Sequence, residues 1–294
     1  MRIGSPHAGR GHPPRAGPAP AVPPLIAGEP RGGRKRRLPL GHELCCGRNQ
    51  GEVPFIVTSF PRWPMFTWRT LVTSIVLRSA TRCHAASLHV TLVRHGQTEW
   101  NAAGRLQGSS DSALTARGIH GAEACGQRLR ERTYDAAYCS PLPRARHTAE
   151  VILGELAEPP MLRDEPRLRE RHFGRWEGLE WGTIQSEYGE ELALSRQDAA
   201  YRIAGGGESR LDTLERALEF LDELPQEHSG TSASILCVTH SATAASLIKE
   251  VLGLAQEARR SFEVMNCAIT TIEYDPDTKA WMLLTLNDCA HLSE

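Results

Sequence analysis

Apolar and polar positions follow a regular plan from residue 88 onward, where short apolar runs alternate with amphipathic segments. Such alternation is typical of parallel strands joined by helical crossovers. It predicts an α/β fold, a three-layer sandwich with a mostly parallel sheet, helices on both of its faces and an antiparallel strand at one edge. Residues 88–93 form the first predicted strand, which ends at Arg94 and His95.

The segment after this strand predicts an amphipathic helix with Thr115 as its N-cap. Ile119, Ala122, Cys125 and Leu129 follow at helical spacings and so lie on one face. We expect that face to be buried against the sheet.

Two further strands are predicted to deliver charged or polar side chains at their ends. The pattern predicts a strand over residues 134–140. A helix is then predicted to begin at Pro143, with Arg144 in its first turn. Residues 233–239 read as a short buried strand that ends at His240, with a helix over residues 241–253 directly after it.

Four leucines mark another amphipathic helix in front of the strand that leads to His240. Leu211, Leu214, Leu218 and Leu221 recur at helical spacing, and we expect Pro225 to stop the helix.

Two apolar, β-branched runs close the chain. They cover residues 267–274 and 281–286, and an Asp-Pro-Asp turn at residues 275–277 separates them. This pattern predicts a hairpin at the edge of the sheet.

Charge divides the chain into two parts of different character. The formal net charge is -1, but residues 1–87 hold 13 Arg and Lys against 3 Asp and Glu, while the remainder is acidic. Twelve of the 19 prolines also precede Met65. A segment so rich in Pro, Gly and Arg buries too little apolar surface to offset its ordering entropy. We therefore predict a disordered or targeting extension over residues 1–87 and one domain over residues 88–294.

The extension contains two features that invite a functional interpretation. Residues 34–37 are a basic run, which in a disordered tail is more often solvated than bound to nucleic acid. Residues 65–77 are too short and too charged to span a membrane. With the basic residues that follow, residues 65–86 resemble an organelle-targeting presequence; an artefact of the gene model is the alternative.

The cysteines and lysines exclude several other classes of protein. The eight cysteines show no repeated CxxC spacing, which indicates a reduced intracellular compartment. The predicted location is the cytoplasm, or a mitochondrion or plastid if the presequence acts. The three lysines do not lie in a glycine-rich loop, so no P-loop is indicated.

Four motifs in a fixed order carry the candidate chemistry, although a three-residue RHG match would be weak evidence alone. They read LVRHGQTEWN at residues 92–101 with GRLQG at 104–108, SPLPRARHTA at 140–149, LRERHFGRWEG at 168–178, and VTHS at 238–241 after GGGES at 205–209.

With these motifs the chain resembles the histidine phosphatase (phosphoglycerate mutase-like) superfamily over roughly residues 88–290. The resemblance implies a phosphatase in which His95 is a covalent nucleophile. A neutral imidazole nitrogen attacks phosphorus well, and a phosphoenzyme splits one hard step into two easier ones. Arg94 and Arg144 supply planar guanidinium forks for the phosphoryl oxygens, and His240 is a further donor.

The remaining site residues are assigned by the same resemblance. Asn101, Thr98 and Arg171 are predicted to bind substrate, although Arg171 has a surface ion pair as its alternative role. Gln107 and Gly108 are also predicted to bind substrate. They lie in a loop where glycine lets the backbone approach the phosphate.

Glu170 matches the acid proposed for the family and would protonate the leaving group, then activate water. Without its motif it reads as part of a solvated salt-bridge face. Trp176, Trp181 and Tyr188 are pocket candidates, but aromatic residues at such spacings are more often core.

The phosphatase branch fits better than the mutase branch. By resemblance, mutases carry a lysine and an adjacent arginine pair after the third motif, and residues 175–207 contain neither. Mutase-type phosphoryl transfer and a catalytically silent phosphate-binding module remain the alternatives. A two-histidine metal hydrolase is disfavoured because no third ligand motif accompanies His95 and His240.

The predicted ligand is a small phosphorylated metabolite. No metal, cofactor, nucleic acid or membrane is expected, and the sequence leaves the oligomeric state open.

Overall fold

The computed structural model describes residues 87–259 and 261–292. The predicted extension, its basic run and the presequence interpretation of residues 65–86 lie outside these ranges, as do Cys45, Cys46 and Cys83. Within the described residues every cysteine is free. No helix in this part of the chain combines the length and the apolar character that a membrane crossing requires.

A mixed sheet of six strands forms the centre of the described region. Its order is β3-β2-β4-β1-β5-β6. The pairs β1·β4, β2·β4 and β2·β3 are parallel, whereas β5 pairs antiparallel with β1 and β6. The strands are β1 (Leu88–Arg94), β2 (Ala136–Cys139), β3 (Leu162–Asp164), β4 (Ala233–Thr239), β5 (Ile269–Asp275) and β6 (Ala280–Asp288).

The helices are α1 (Glu99–Ala102), α2 (Ala116–Leu129), α3 (Pro143–Glu155), α4 (Trp181–Glu187), α5 (Gly189–Gln197), α6 (Arg210–Glu227) and α7 (Ser241–Val251). Short 3₁₀ helices cover Pro166–Leu168 and Gly174–Trp176.

Strand residues alternate between two cores, as the pleat requires. Leu88, Val90 and Leu92 pack with α6 residues such as Phe220, whereas Val93 packs in a separate cluster with residues of α2 and α3. Helices therefore cover both faces of the sheet, and the predicted α/β sandwich with its antiparallel edge is confirmed.

Local signals set most of the element ends. The Thr115 hydroxyl accepts the Gly118 N–H at the start of α2, as predicted. Pro143 is at the first position of α3, where its missing N–H costs nothing.

The leucine helix differs from its prediction in two ways. Pro225 lies inside α6, which continues to Glu227. The proline loses one hydrogen bond, but Leu221 and Leu224 are fully buried and hold the last turns against the core. Leu211, in contrast, is 43% exposed and so does not belong to the buried face.

Register brings the two candidate histidines together. Arg94 of β1 is opposite Thr239 of the parallel strand β4. Since both strands end at this level, His95 and His240 leave the same edge of the sheet side by side. Ligands of open α/β sheets bind outside this carboxyl edge.

Candidate active site

His95 occupies a buried position at the end of β1, with 3% of its surface exposed. Its Nδ1 lies 2.8 Å from the Gly96 carbonyl oxygen, which can only accept a hydrogen bond. The proton is therefore on Nδ1, and the Nε2 lone pair is directed to the Arg144 Nε at 3.4 Å. Nε2 is the atom that this tautomer offers as a nucleophile.

The surroundings of His95 favour the neutral ring. Burial lowers its pKa well below the ordinary value, and the charges of Arg94 and Arg144 lower the pKa further. A neutral imidazole keeps the lone pair that attack on phosphorus requires.

Arg144 has a partner at every nitrogen of its guanidinium. Besides the contact with His95, Nη1 donates to the Ser110 carbonyl at 2.7 Å and to Asp111 at 2.9 Å, and Nη2 donates to the Gly108 carbonyl at 2.7 Å. The side chain is buried in the first turn of α3. These bonds fix the charge beside His95.

The loop that holds Arg144 depends on Gly108, whose φ is +60°. A Cβ there would also collide with the Glu177 carboxylate. That carboxylate accepts the N–H groups of Ser109 and Ser110 and of Phe173, so it ties the first motif to the third.

His240 is fully buried, and its ring centroid is 5.1 Å from that of His95. Its Nε2 is 2.7 Å from the Ser140 hydroxyl. Its Nδ1 has no hydrogen-bond partner within the described residues. Burial and then the Arg144 charge lower the pKa of His240 well below the ordinary value.

Arg94 and Asn101 line the same cavity as His95. Arg94 donates from Nη1 to the Val264 carbonyl at 2.8 Å. The Asn101 Oδ1 accepts from the Thr98 N–H and from the Asn266 Nδ2, both at 3.3 Å, which leaves the amide NH₂ as the group it offers to a ligand. Asn266 also donates to the His95 carbonyl at 2.8 Å.

Thr98 and Gln107 support each other beneath the cavity. The Gln107 Nε2 donates to the Thr98 hydroxyl at 2.7 Å, and that hydroxyl also caps α1. Gln107 borders the cavity, whereas Thr98 is fully buried and is not among the lining residues. The substrate-binding role of Thr98 stays a prediction.

Glu170 lies at the N-terminus of α7, with 8% of its surface exposed. Its carboxylate accepts the N–H groups of Arg171 at 2.9 Å, Ala242 at 3.1 Å and Thr243 at 3.3 Å. These three main-chain donors hold the Glu170 carboxylate beside the His95 cavity, which Glu170 lines.

Arg171 does not line the cavity that contains His95. Its Nε donates to the Glu208 carbonyl at 2.9 Å, and its guanidinium lies over the Phe173 ring at 5.2 Å. It borders a second, neighbouring cavity instead.

The cavity at His95 has a volume of about 310 Å³. Several of its lining residues were not singled out as site residues from the sequence. They are Arg105, Leu106, Phe173, Ser241 and Ala242; Trp181, a pocket candidate from the sequence, also lines the cavity. Trp176 is core, and Tyr188 packs beside it.

Three further residues that support the site were not predicted from the sequence. Asp111 pairs with Arg144, Ser140 contacts His240, and Asn266 holds the His95 carbonyl. Only Ser140 lies inside a recognised motif. Within the described parts of the chain, no three His, Cys, Asp or Glu side chains form a cluster suited to a metal ion.

A strand-end histidine between two arginines, at the carboxyl edge of an open sheet, defines an α/β protein that handles phosphoryl groups. The chain belongs to the histidine phosphatase superfamily (branch 1), whose family model matches residues 90–288.

Relatives in this superfamily have both mutase and phosphatase names. The chain is 36% identical over 211 residues to a protein named probable phosphoglycerate mutase GpmB from Serratia proteamaculans, covering 70% of this chain and 95% of the relative.

Two solved phosphatases share the fold. The alpha-ribazole phosphatase from Shigella flexneri matches at a TM-score of 0.60 and 28% identity, covering 68% of this chain and 96% of that one. A mycobacterial glucosyl-3-phosphoglycerate phosphatase matches at a TM-score of 0.61 and 28% identity. The match covers 68% of this chain and 98% of that one.

Proposed function

We propose that this chain is a phosphomonoester hydrolase that acts on a small phosphorylated metabolite through a phosphohistidine at His95. One observation carries the proposal: the His95 Nε2 lone pair is directed to a buried arginine in a cavity of about 310 Å³. A neutral nucleophile beside a fixed guanidinium suits attack on a phosphoryl group. The phosphatase names of the solved neighbours support the same reaction class.

In the first half-reaction Nε2 of His95 attacks phosphorus, and the bond between phosphorus and the ester oxygen breaks. The electron pair stays on that oxygen, which takes a proton from Glu170. Arg94 and Arg144 stabilise the charge on the equatorial oxygens, and the His240 Nδ1, which has no partner among the described residues, supplies a further donor when it carries the proton.

In the second half-reaction a water oxygen attacks the phosphohistidine while Glu170 takes the water proton. The nitrogen–phosphorus bond breaks, its electron pair returns to Nε2, and inorganic phosphate leaves. The hydrogen bonds from the start of α7 hold the Glu170 side chain at the cavity, where it acts as the base in this step.

Phosphoglycerate mutase activity is the second candidate, because relatives at 36% identity carry that name. A mutase must retain the departing substrate and return the phosphoryl group to it. The absence of lysine and of an adjacent arginine pair in residues 175–207 favours hydrolysis.

The test is a panel of phosphate esters that includes 3-phosphoglycerate, with inorganic phosphate and isomerised product measured separately. Release of phosphate supports the hydrolase, and isomerisation without release supports the mutase. Acid-labile label should be trapped on His95 during turnover. Binding of esters without either reaction would make the chain a silent binding module and would overturn the proposal.

The matched variants are His95→Ala and His147→Ala. We expect His95→Ala to lose at least about 10⁴-fold in kcat, since removal of a nucleophile eliminates the covalent path. His147 is exposed on α3 and close in sequence to Arg144, so its loss should leave turnover unchanged. Label on another residue would refute the mechanism.

A further inference from the structure

A second cavity adjoins the one that contains His95, and Ala242 lines both. Its volume is about 640 Å³, so it has room for a sizeable chemical group. One wall is a face of α7 with Ala242, Ala245 and Ser246, which repeat at helical spacing. The remaining wall comes from Arg171, from α5 and the start of α6, and from residues 256–259.

The lining of this second cavity is strongly cationic. Its basic members are Arg171, Arg196, Arg210, Lys249 and Arg259, and Glu257 is the one acid among its lining residues. The Lys249 ammonium donates to the carbonyls of Gln256 and Ala258 and so holds the residue 256–258 segment in place. Because carbonyls are neutral acceptors, Lys249 keeps its positive charge and adds to that of the arginines.

Arg171 is the most informative of these arginines, with 5% of its surface exposed. Its Nη2 is buried and has no hydrogen-bond partner within residues 87–259 and 261–292. A buried charged donor without a partner is costly, so such groups are normally paired or meet a ligand. The buried Nε of Arg210 has no partner either in the same described parts.

Glu257 and Asp198 attract Arg210 electrostatically, but the carboxylates near the two arginines lie beyond ion-pair distance. Glu208 forms an ion pair with Arg216 at 3.0 Å, and Asp212 forms one with Arg202 at 2.6 Å. Across the described residues, neither Arg171 nor Arg210 has a carboxylate oxygen within ion-pair distance. Burial in the first place, and the Arg210 charge in the second, lower the pKa of Arg171 to about 10.

We propose that this second cavity binds a second anionic group of the substrate, a carboxylate or a phosphate, while the scissile phosphate lies at His95. The inference rests on the proposed function and narrows its substrate class to metabolites with two anionic ends. The shared Ala242 makes the two cavities neighbours, and Arg171 and Arg210 offer buried donors that an anionic ligand would satisfy.

The experiment compares two series of alkyl phosphates of increasing chain length on the full chain. One series ends in a methyl group and the other in a carboxylate. A hydrogen bond to a charged partner in a desolvated pocket strengthens binding by about 10- to 100-fold. We expect kcat/KM to favour the carboxylate series by that factor at the chain length that spans the cavities.

Arg210→Gln is the main variant, because Arg210 touches neither Glu170 nor His95. It should reduce the preference for the carboxylate series about 10-fold and change turnover of the methyl series less than about 3-fold. Arg171→Lys is the second variant, since it keeps the charge but loses the fork. Arg128→Gln removes an exposed arginine that borders neither cavity, so it should not alter the preference.

The experiment gives different results if the second-anion site is wrong and if the proposed hydrolase function is wrong. Hydrolysis of both series with no carboxylate preference, or with a preference that Arg210→Gln leaves intact, overturns the second-anion site and leaves the hydrolase standing. No hydrolysis of either series overturns the hydrolase. Calorimetry with a non-hydrolysable phosphonate that ends in a carboxylate then tests the cavity directly. Binding that Arg210→Gln weakens supports the site, and unaltered binding overturns it.

A dicarboxylate without phosphate separates a substrate subsite from an independent regulatory site. Within the substrate subsite it should inhibit the carboxylate series competitively. Binding that depends on Arg210 yet inhibits non-competitively would overturn the assignment to the substrate.

Discussion

The cavity around His95 and the cavity around Arg171 share Ala242, yet arginine has a different role in each. In the first, the Arg144 guanidinium donates to two carbonyls, a carboxylate and the His95 Nε2. In the second, a buried Arg171 nitrogen and a buried Arg210 nitrogen lack partners among the described residues.

This difference indicates how each cavity stabilises charge. A guanidinium that is already fixed needs no reorganisation when charge develops on a phosphoryl group, which is how electrostatic catalysis works best. A guanidinium with an unmet donor carries an energetic cost that a bound anion relieves. The first cavity thus fits transition-state stabilisation, and the second fits ground-state recognition.

Glu170, which contacts the shared residue Ala242, offers the largest expected effect on this comparison. Glu170→Gln should slow hydrolysis of alkyl phosphates by about 10²- to 10⁴-fold, because a poor leaving group needs the proton. An activated aryl phosphate departs without protonation and should lose much less. The measurement is kcat for both esters.

Glu150→Gln is the control, because Glu150 is an exposed carboxylate that pairs with Arg146 on α3. An equal loss on alkyl and aryl esters would assign Glu170 to water activation alone. No loss on either ester would return Glu170 to a salt-bridge or structural role.

Arg144→Lys and Arg171→Lys separate the two cavities directly. Arg144→Lys should lower kcat roughly 10²- to 10³-fold for every ester, since lysine keeps the charge but not the fork. Arg171→Lys should act on KM and mainly for substrates with a second anion. Thermal denaturation of both variants controls for misfolding. An Arg144→Lys loss confined to substrates with two anions would remove the distinction between the cavities.

The main residues around the first cavity could be picked out from the sequence because their signals are local. His95 and His240 end apolar runs, and Arg144 follows a helix-opening proline, so position in an element fixes position in the site. Parallel pairing of β1 with β4 then brings the two histidines together. The motif around Glu170 placed its carboxyl in the same cavity.

The second cavity could not be predicted because it depends on long-range packing. Arg196, Arg210 and Ala245 come from three different helices and carry no shared motif. Asn266 supports the His95 carbonyl from 171 positions away in the chain. The stop assigned to Pro225 was wrong for a related reason, since burial of the last turn of α6 outweighed a local helix breaker.

The pH dependence of the free energy of unfolding tests whether His95 and His240 are desolvated in the folded chain. Burial lowers the pKa of His95 and His240 in the folded chain, whereas an unfolded histidine titrates near about 6.5. Below that pH the unfolded chain therefore binds protons that the folded chain does not, and the free energy of unfolding falls as pH falls. Each histidine contributes up to about 1.4 kcal/mol per pH unit.

Urea unfolding measured between about pH 7.5 and pH 5.5 checks this dependence. His240→Asn should flatten the slope, and His147→Ala should leave it unchanged because His147 is exposed. If His240→Asn leaves the slope unchanged, the His240 ring is not desolvated in the folded chain.

The smallest expected effect is that of a chelator, for which we expect no change in activity. Arg94 and Arg144 border the His95 cavity, and Arg144 is held by bonds to Ser110, Asp111 and Gly108. We expect these two charges, with His240, to supply the stabilisation that a divalent ion gives in other phosphoryl-transfer sites. Turnover of one alkyl phosphate should therefore be equal before and after EDTA treatment and dialysis. Activity that EDTA abolishes and only a divalent ion restores would mean that the arginines do not suffice, and the role assigned to the first cavity would fail with them.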